Sequence, residues 1–279
     1  MLEEKLIFQG AFDREFLFES YGVKIKVESN RQELLDEAKT LVCKALVDRV
    51  KFIESQNGAP EYSFGIGVDD GVYFLFQNGR QTTHGESKTP FFKYFNNSLR
   101  IEVAEHAVSK VFLHAGVVSW KGKAIVIPAN SFSGKTTLTA ELVKAGAEYY
   151  SDEYAVLDET GCVHPFPRKL GVRPIDGSSP EIEVSVEELG GRYGTDPVPV
   201  GLILITGYEE DGVWDPQVLS PGEGIIEVIP HTIPVRFNTE FSLKVLDTVA
   251  RHAIIVKSAR YDAKKFAKTL LDYVDNHVN

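Results

Sequence analysis

Residues 123 to 144 read KAIVIPANSFSGKTTLTAELVK, and few other local patterns leave a chain so little freedom. An apolar run, Lys123 to Pro128, stops at a loop in which Ala129 is followed by four residues and then by Gly134-Lys135-Thr136. A helical pattern over Lys135 to Lys144 opens where that loop ends, and Gly146 stands where a C-terminal cap belongs. The spacing satisfies the phosphate-loop pattern in its Ala-first form. The physical reason is specific. Backbone N–H groups from Ala129, Asn130, Ser131, Phe132, Ser133 and Gly134 through Thr136 and Thr137 can turn toward an anion, and the partial positive end of the helix adds attraction. Lys135 would reach terminal phosphates as a point charge, and the Thr136 hydroxyl would sit on Mg²⁺. The alternative is an ordinary strand–turn–helix corner that uses Gly134 for geometry alone.

Composition narrows what surrounds this loop. With 279 residues, 43% of them hydrophobic and 25% charged, the chain reads as globular, with room for one large domain or two small ones. Lys plus Arg is 30 against 40 for Asp plus Glu, a formal charge of −10. That balance argues against a nucleic-acid partner, which needs a basic face, and leaves room for a local basic pocket. Cys43 and Cys162 are far apart and form no CxxC pair, so neither a disulfide framework nor a zinc site is expected. The first residues, MLEEKLIF, are acidic where a secretory signal is basic. The longest apolar stretches, such as Val200 to Ile205, are strand-sized and far short of the ~20 residues a membrane span needs. The expectation is a soluble, cytoplasmic protein with no membrane partner.

Before the loop, Phe16 to Val27 reads as strand, and a helix follows in which Asn30 and Glu33 have capping-box spacing. Gln56 to Pro60 is expected to stop that helix. Tyr62 to Val68 and Val72 to Phe76 flank Asp69-Asp70-Gly71 as a hairpin. His84 to Pro90 reads as loop, and Ile101 to Lys110 as a short helix. Val111 to Trp120 and Lys123 to Pro128 are two apolar runs joined by Lys121-Gly122. Beyond the motif come strands at Ala147 to Ser151 and Tyr154 to Leu157, then a buried strand from Pro199 to Thr206. The tail adds a helix from Thr239 to about Arg251, a strand Ala253 to Lys257 and a helix Asp262 to Val274. Arg173 to Glu183, with two prolines and Gly177-Ser178-Ser179, is the candidate lid. The expected boundary falls at residue 98, giving an N-terminal α+β region, 1–98, and an α/β domain, 99–279.

Three further groups could carry chemistry. Ser151-Asp152-Glu153 sits at the end of the strand that follows the motif helix. Two adjacent carboxylates there can divide labour, one on a metal and one taking a hydroxyl proton; a solvated Asp-Glu turn is the alternative. His114, in Phe112-Leu113-His114-Ala115-Gly116, lies on the strand pairing back from the loop strand, and a satisfied core histidine is the competing reading. His84, His106, His164, His231, His252 and His277 show no metal spacing and read as structural or surface residues. Arg168, Lys169, Arg173 and Arg236 have the donors to recognise phosphate or carboxylate, or are surface charge.

With these residues in place, the stretch from about His114 to Lys268 resembles the catalytic domain of bacterial HPr kinase/phosphorylase and its relatives, a fold shared with ATP-dependent phosphoenolpyruvate carboxykinases. The matching features are His114, the Lys121-Gly122 turn, the loop from Ala129 to Thr137, Gly146 and the acids Asp152-Glu153. Ile233-Pro234-Val235-Arg236, with the helix after it, is similar to that family's basic loop. The chain departs from the pattern at Ala129, at Glu153, at Phe237-Asn238-Thr239, and in lacking a Glu-x-Arg-Gly-x-Gly signature. A divergent relative is implied, and the first 98 residues resemble no family.

The resemblance implies a mixed-sheet P-loop α/β fold and an ATP- and Mg²⁺-dependent kinase acting on a hydroxyl, serine in a protein or peptide. Asp152 would be the base, His114 its support, Lys135 the stabiliser of the transferring phosphoryl group, and Thr136 with Glu153 the magnesium residues. Arg236 would join the nucleotide-binding set, and a homo-oligomer is hinted at. Two other readings stay open on the residues alone: a small-molecule phosphotransferase on the same scaffold, and a nucleotide-binding regulator without turnover.

Overall fold

The computed structural model describes residues 8–54, 60–129, 133–172 and 182–278. Two compact units divide after Val108. The boundary expected at residue 98 falls inside a helix, Lys88–His106, which belongs entirely to the first unit.

The first unit begins with β1, Arg14–Ser20, and β2, Val23–Ser29, paired antiparallel. The single strand expected over Phe16 to Val27 is therefore a hairpin. Its turn is Tyr21 at φ 50° and Gly22 at φ 84°, hidden in a run rich in β-branched and aromatic residues. Helix α1, Gln32–Ala45, buries Leu34, Leu35, Ala38, Val42 and Ala45. The expected capping box is not formed, because Arg31 is the N-cap and its side chain makes no cap bond. Asn30 serves a strand instead: its Nδ2 donates to Val68 O at 2.8 Å, and Val68 N donates back to Oδ1 at 3.0 Å. Helix α1 stops at Ala45, and Val47 and Asp48 follow with positive φ. The stop expected at Gln56 to Pro60 is thus ten residues late, and residues 56–59 of it lie outside the described residues.

Strands β3, Lys51–Ile53, β4, Tyr62–Asp69, β5, Val72–Gln77, and β6, Arg80–Gly85, complete a six-stranded sheet of order β3-β1-β2-β4-β5-β6. Asp70 and Gly71, at φ 45° and 80°, close the β4–β5 hairpin where the sequence placed it. Helix α2 is Lys88–His106. It and the end of β6 occupy most of the stretch expected as loop at His84 to Pro90, and the helix starts well before Ile101. Both helices share a core with Phe18, Ile25, Phe64, Ile66 and Leu75 of the sheet.

The second unit places β7, Val111–Trp120, β8, Lys123–Pro128, and α3, Lys135–Lys144, as the motif requires. Lys121 at φ 51° and Gly122 at φ 80° make the hairpin turn, and Gly146 at φ 104° follows the helix. Then come β9, Glu148–Ser151, β10, Tyr154–Leu157, β11, Cys162–His164, β12, Leu170–Val172, β13, Ile182–Val184, β14, Val198–Tyr208, and β15, Gln217–Val218. Helix α4 is Pro221–Val228, and two 3₁₀ turns, Ile229–His231 and Ile233–Arg236, lead to α5, Thr239–His252. The chain ends with β16, Ile254–Arg260, and α6, Ala263–His277. Strand β16 runs three residues beyond the expected Lys257. Of the candidate lid, residues 173–181 lie outside the described residues.

The main sheet has eight strands among the described residues, in order β11-β10-β7-β8-β14-β16-β15, with β9 pairing to β7. Strands β8, β14 and β16 are parallel, while β7 returns antiparallel to β8. Val118, Ile125 and Leu204 share a core with α3 and α6 on one face. Val117, Val126 and Ile203 share another with α4 and α5 on the opposite face. Helices on both faces of a largely parallel centre make this unit α/β. The loop leaves β8 at the carboxyl edge of three parallel strands, where α/β sheets bind ligands. Among the described residues, no helix is long and apolar enough to cross a membrane.

Candidate functional site

The site is built where β7 passes under the start of α3. Alternate residues of a strand share a face, so His114, Gly116 and Val118 look toward α3. At Gly116 a Cβ would lie 2.5 Å from Thr139 Oγ1 and 3.0 Å from Lys135 Cγ. Glycine there opens the passage taken by the lysine stem. Lys135, the first residue of α3, is only 8% exposed. Burial pushes its ammonium pKa down, and the carboxylates of Asp152 and Glu153 push the other way. A cation held this deep at a helix N-terminus is costly unless anions compensate it.

Those two acids are set by local backbone chemistry. Ser151 Oγ accepts from Glu153 N at 3.1 Å and from Tyr154 N at 2.9 Å, bending the chain between β9 and β10. Ser151 pairs with Val117 and Tyr154 with His114. Asp152 and Glu153 therefore fall level with Gly116 and Ala115, and Ala115 N donates to Glu153 O at 3.1 Å. Glu153 forms an ion pair with Arg168. The Tyr149 hydroxyl steadies that arginine's backbone, donating to Arg168 O at 2.7 Å. Of the basic residues singled out near the candidate lid, Arg168 is thus brought to the acids.

His114 is half-buried, and its pKa is pushed down to about 4, first by burial, then by Lys135 and His231. His231, read from sequence as structural or surface, belongs to this group. Leu113 bridges antiparallel to Thr232, which sets His231 across from His114. Its imidazole pKa is lowered by burial and by Lys135, against the opposing pull of Glu227. Both rings are neutral at pH 7 and can accept a proton or a hydrogen bond.

On the other side of β8 in the sheet order stands Arg260, the last residue of β16 and 3% exposed. Its Nη2 donates to Ser133 O at 2.9 Å. Arg260 carries no motif of its own, and it lies beyond the strand expected from Ala253 to Lys257. The signal available was a strand-terminal arginine just before Asp262, which caps α6 by accepting from Lys265 N at 3.2 Å.

The remaining expected residues divide. Ala129 is buried and donates from N to His114 O at 3.4 Å, tying the start of the loop to β7. Asn130, Ser131 and Phe132 lie outside the described residues. The Ser133 hydroxyl oxygen is buried without a hydrogen-bond partner. Gly134 is left-handed at φ 77°, as the turn into the helix demands. Thr136 is half-buried, and Thr137 is exposed. Arg236 is exposed, and its side chain makes no hydrogen bond or ion pair among the described residues.

For Mg²⁺, the described residues offer a hydroxyl at Thr136 and carboxylates at Asp152 and Glu153, with no cluster of three or more His, Cys, Asp or Glu side chains. That donor set fits an ion that takes one or two protein oxygens and completes its shell with phosphate and water. Compared as a sequence, the chain matches no protein-family model and no curated protein.

Proposed function

We propose that the second unit is an ATP- and Mg²⁺-dependent phosphotransferase of the HPr-kinase-like P-loop type, moving the γ-phosphoryl group to a hydroxyl, serine in a protein or peptide. One observation carries the reading: Lys135 is buried at the first turn of α3, over a glycine, with two carboxylates and two neutral imidazoles as its charged and polar company. A fold has little reason to bury that ammonium except to meet anions. A loop of phosphate-binding spacing stands directly before it.

In this mechanism the amides of the loop and Lys135 hold the phosphate chain and stabilise charge that develops on the transferring group. Asp152 takes the acceptor's hydroxyl proton as that oxygen bonds to the γ-phosphorus, and ADP leaves with the electron pair of the broken P–O bond. His114, neutral and beside the acids, orients the acceptor or Asp152 by hydrogen bonding. Arg168 fixes Glu153. Thr136 and Glu153 are the residues for the magnesium ion, which when bound neutralises phosphate charge.

The test is calorimetry of ATP with Mg²⁺ on the wild type and Lys135→Ala, followed by transfer of labelled phosphate to peptide and metabolite panels. Saturable binding lost in the variant, with label on a peptide serine, is the expected result. A folded wild type that binds no nucleotide overturns the reading. Label on a metabolite alone would move the acceptor class, and binding without transfer would remove the enzyme.

A further inference from the structure

Arg260 has a position that loop architecture alone does not require. It is 3% exposed, yet among the described residues it makes no ion pair. Its hydrogen bonds are to carbonyls, Ser133 O at 2.9 Å and Tyr261 O at 3.5 Å, and its guanidinium carbon lies 5.7 Å from the Tyr208 ring centroid. Guanidinium has five donors and stays charged at any physiological pH. Tyr208 and Asp262 pull on it electrostatically without bonding it, and burial outweighs them, so a guanidinium this deep with no bonded carboxylate is expensive unless an anion meets it.

The surroundings say where that anion would be. A Cβ on Gly134 would lie 2.4 Å from Arg260 Nη2, so the guanidinium rests against the residue that caps α3. Ser133 Oγ, on the neighbouring residue, is itself buried and without a partner. Lys135 reaches the same helix terminus from over β7, whereas Arg260 comes from β16, on the other side of β8 in the sheet. Two buried cations, on opposite sides of the loop strand, thus flank one helix N-terminus.

We propose that Arg260 is a second fixed cation of the phosphate site, binding phosphoryl oxygens of the donor together with Lys135. This rests on the phosphate-loop reading above and adds to it a residue far away in sequence. The fork of the guanidinium suits two oxygens of a phosphate chain. Its bond to Ser133 O sets the fork in place before the ligand arrives.

The experiment is calorimetry on the full chain with two probes, ATP with Mg²⁺ and inorganic tripolyphosphate, for the wild type, Arg260→Gln and Arg260→Lys. Glutamine keeps a donor for a carbonyl without the charge, and lysine keeps the charge without the fork. The expected result is a loss of about 10- to 100-fold for both probes in Arg260→Gln, the range of a charged hydrogen bond, with lysine recovering part of it. Wild-type affinity in Arg260→Gln overturns the proposal, as does a loss that lysine does not relieve, since a loop clamp would behave so. If the glutamine variant does not fold, lysine carries the test: a drop of several-fold supports the proposal, and unchanged affinity overturns it. Tripolyphosphate binding that depends on Arg260, without transfer from ATP to any acceptor, would retain Arg260 and remove the kinase. Phosphoryl transfer with wild-type affinity in Arg260→Gln would do the reverse. A wild type that binds neither probe removes both.

Discussion

Each unit buries charge, and the two do so in opposite ways. In the first unit Glu102, 3% exposed, receives the side-chain amides of Gln77 and, at 3.1 Å, Asn78, with His106 Nε2 4.0 Å away. Its partners all come from its own unit, and the group closes on itself. In the second unit Lys135 and Arg260 are nearly as deep, but they are arranged around a helix terminus. Lys135 faces the carboxylates of Asp152 and Glu153, to which the proposed mechanism gives proton transfer and the metal, and the hydrogen bonds of Arg260 go to carbonyls. A buried charge with a complete local shell fixes a fold. A buried charge with an incomplete one is held in readiness for a ligand, at the expense of stability.

The largest effect that can break this contrast is on transfer itself. Asp152→Asn removes the proton acceptor while preserving shape, and the rate should fall by about 10²–10⁴-fold with ATP affinity kept within a few-fold. Single-turnover transfer and calorimetry read the two quantities separately. Transfer at the wild-type rate would end the assignment of Asp152 as base.

Next in size is a pair of substitutions with opposite expected signs. Glu102→Ala takes the acceptor from the half-buried Gln77 amide and the exposed Asn78 amide, which water can partly replace, and should lower unfolding free energy by about 1 kcal/mol. Lys135→Met keeps volume and removes an ammonium whose burial costs more than its attraction to Asp152 and Glu153 returns, so stability should hold or rise while ATP binding is lost. Urea unfolding of both variants decides. Destabilisation by Lys135→Met as large as that of Glu102→Ala would mean that both charges are structural.

How much of this was legible beforehand depends on how local each signal is. The β7–β8 hairpin, α3 and its glycine cap, and the acid pair after β9 all follow from residues a few positions apart. Where a local rule competes with tertiary context, the context wins. Tyr21-Gly22 turned a run that looked like one strand, and Asn30 went to Val68 on a neighbouring strand instead of capping α1. The missed site residues share one cause. His231 reaches His114 through a bridge between Leu113 and Thr232, and Arg260 reaches Ser133 across 127 positions of sequence. Register between distant strands leaves no trace in either segment read alone.

A smaller effect lies in pH. His114 has a folded pKa of about 4 against an ordinary value near 6.5, so between those values the unfolded chain takes up a proton that the folded chain refuses. Stability from this source is complete above about pH 6.5 and is lost as pH falls toward 4. His231 acts in the same direction. Asp158, held down to about 2, loses its contribution only below that window. Urea unfolding at pH 7, 5.5 and 4.5 should show a shallower decline for His114→Gln than for wild type. Equal slopes would mean that His114 is not the buried neutral imidazole on which the site depends.

The finest test uses two glycines with nearly the same backbone. Gly71 at φ 80° and Gly134 at φ 77° both occupy the left-handed region, so alanine at either should cost about 1–2 kcal/mol of conformational strain. Their surroundings differ. A Cβ at Gly71 meets nothing within 4 Å, whereas one at Gly134 meets Arg260 Nη2 at 2.4 Å. The guanidinium is the far end of a flexible side chain and can retreat, so the two variants should match in urea unfolding to within about 0.5 kcal/mol. They should part in ligand binding. Gly134→Ala moves the guanidinium off Ser133 and should lose tripolyphosphate affinity as Arg260→Gln does, while Gly71→Ala binds like wild type. If Gly134→Ala also lowers affinity when Arg260 is already glutamine, its effect runs through the loop backbone. If that second loss vanishes, the glycine is there to let the arginine in.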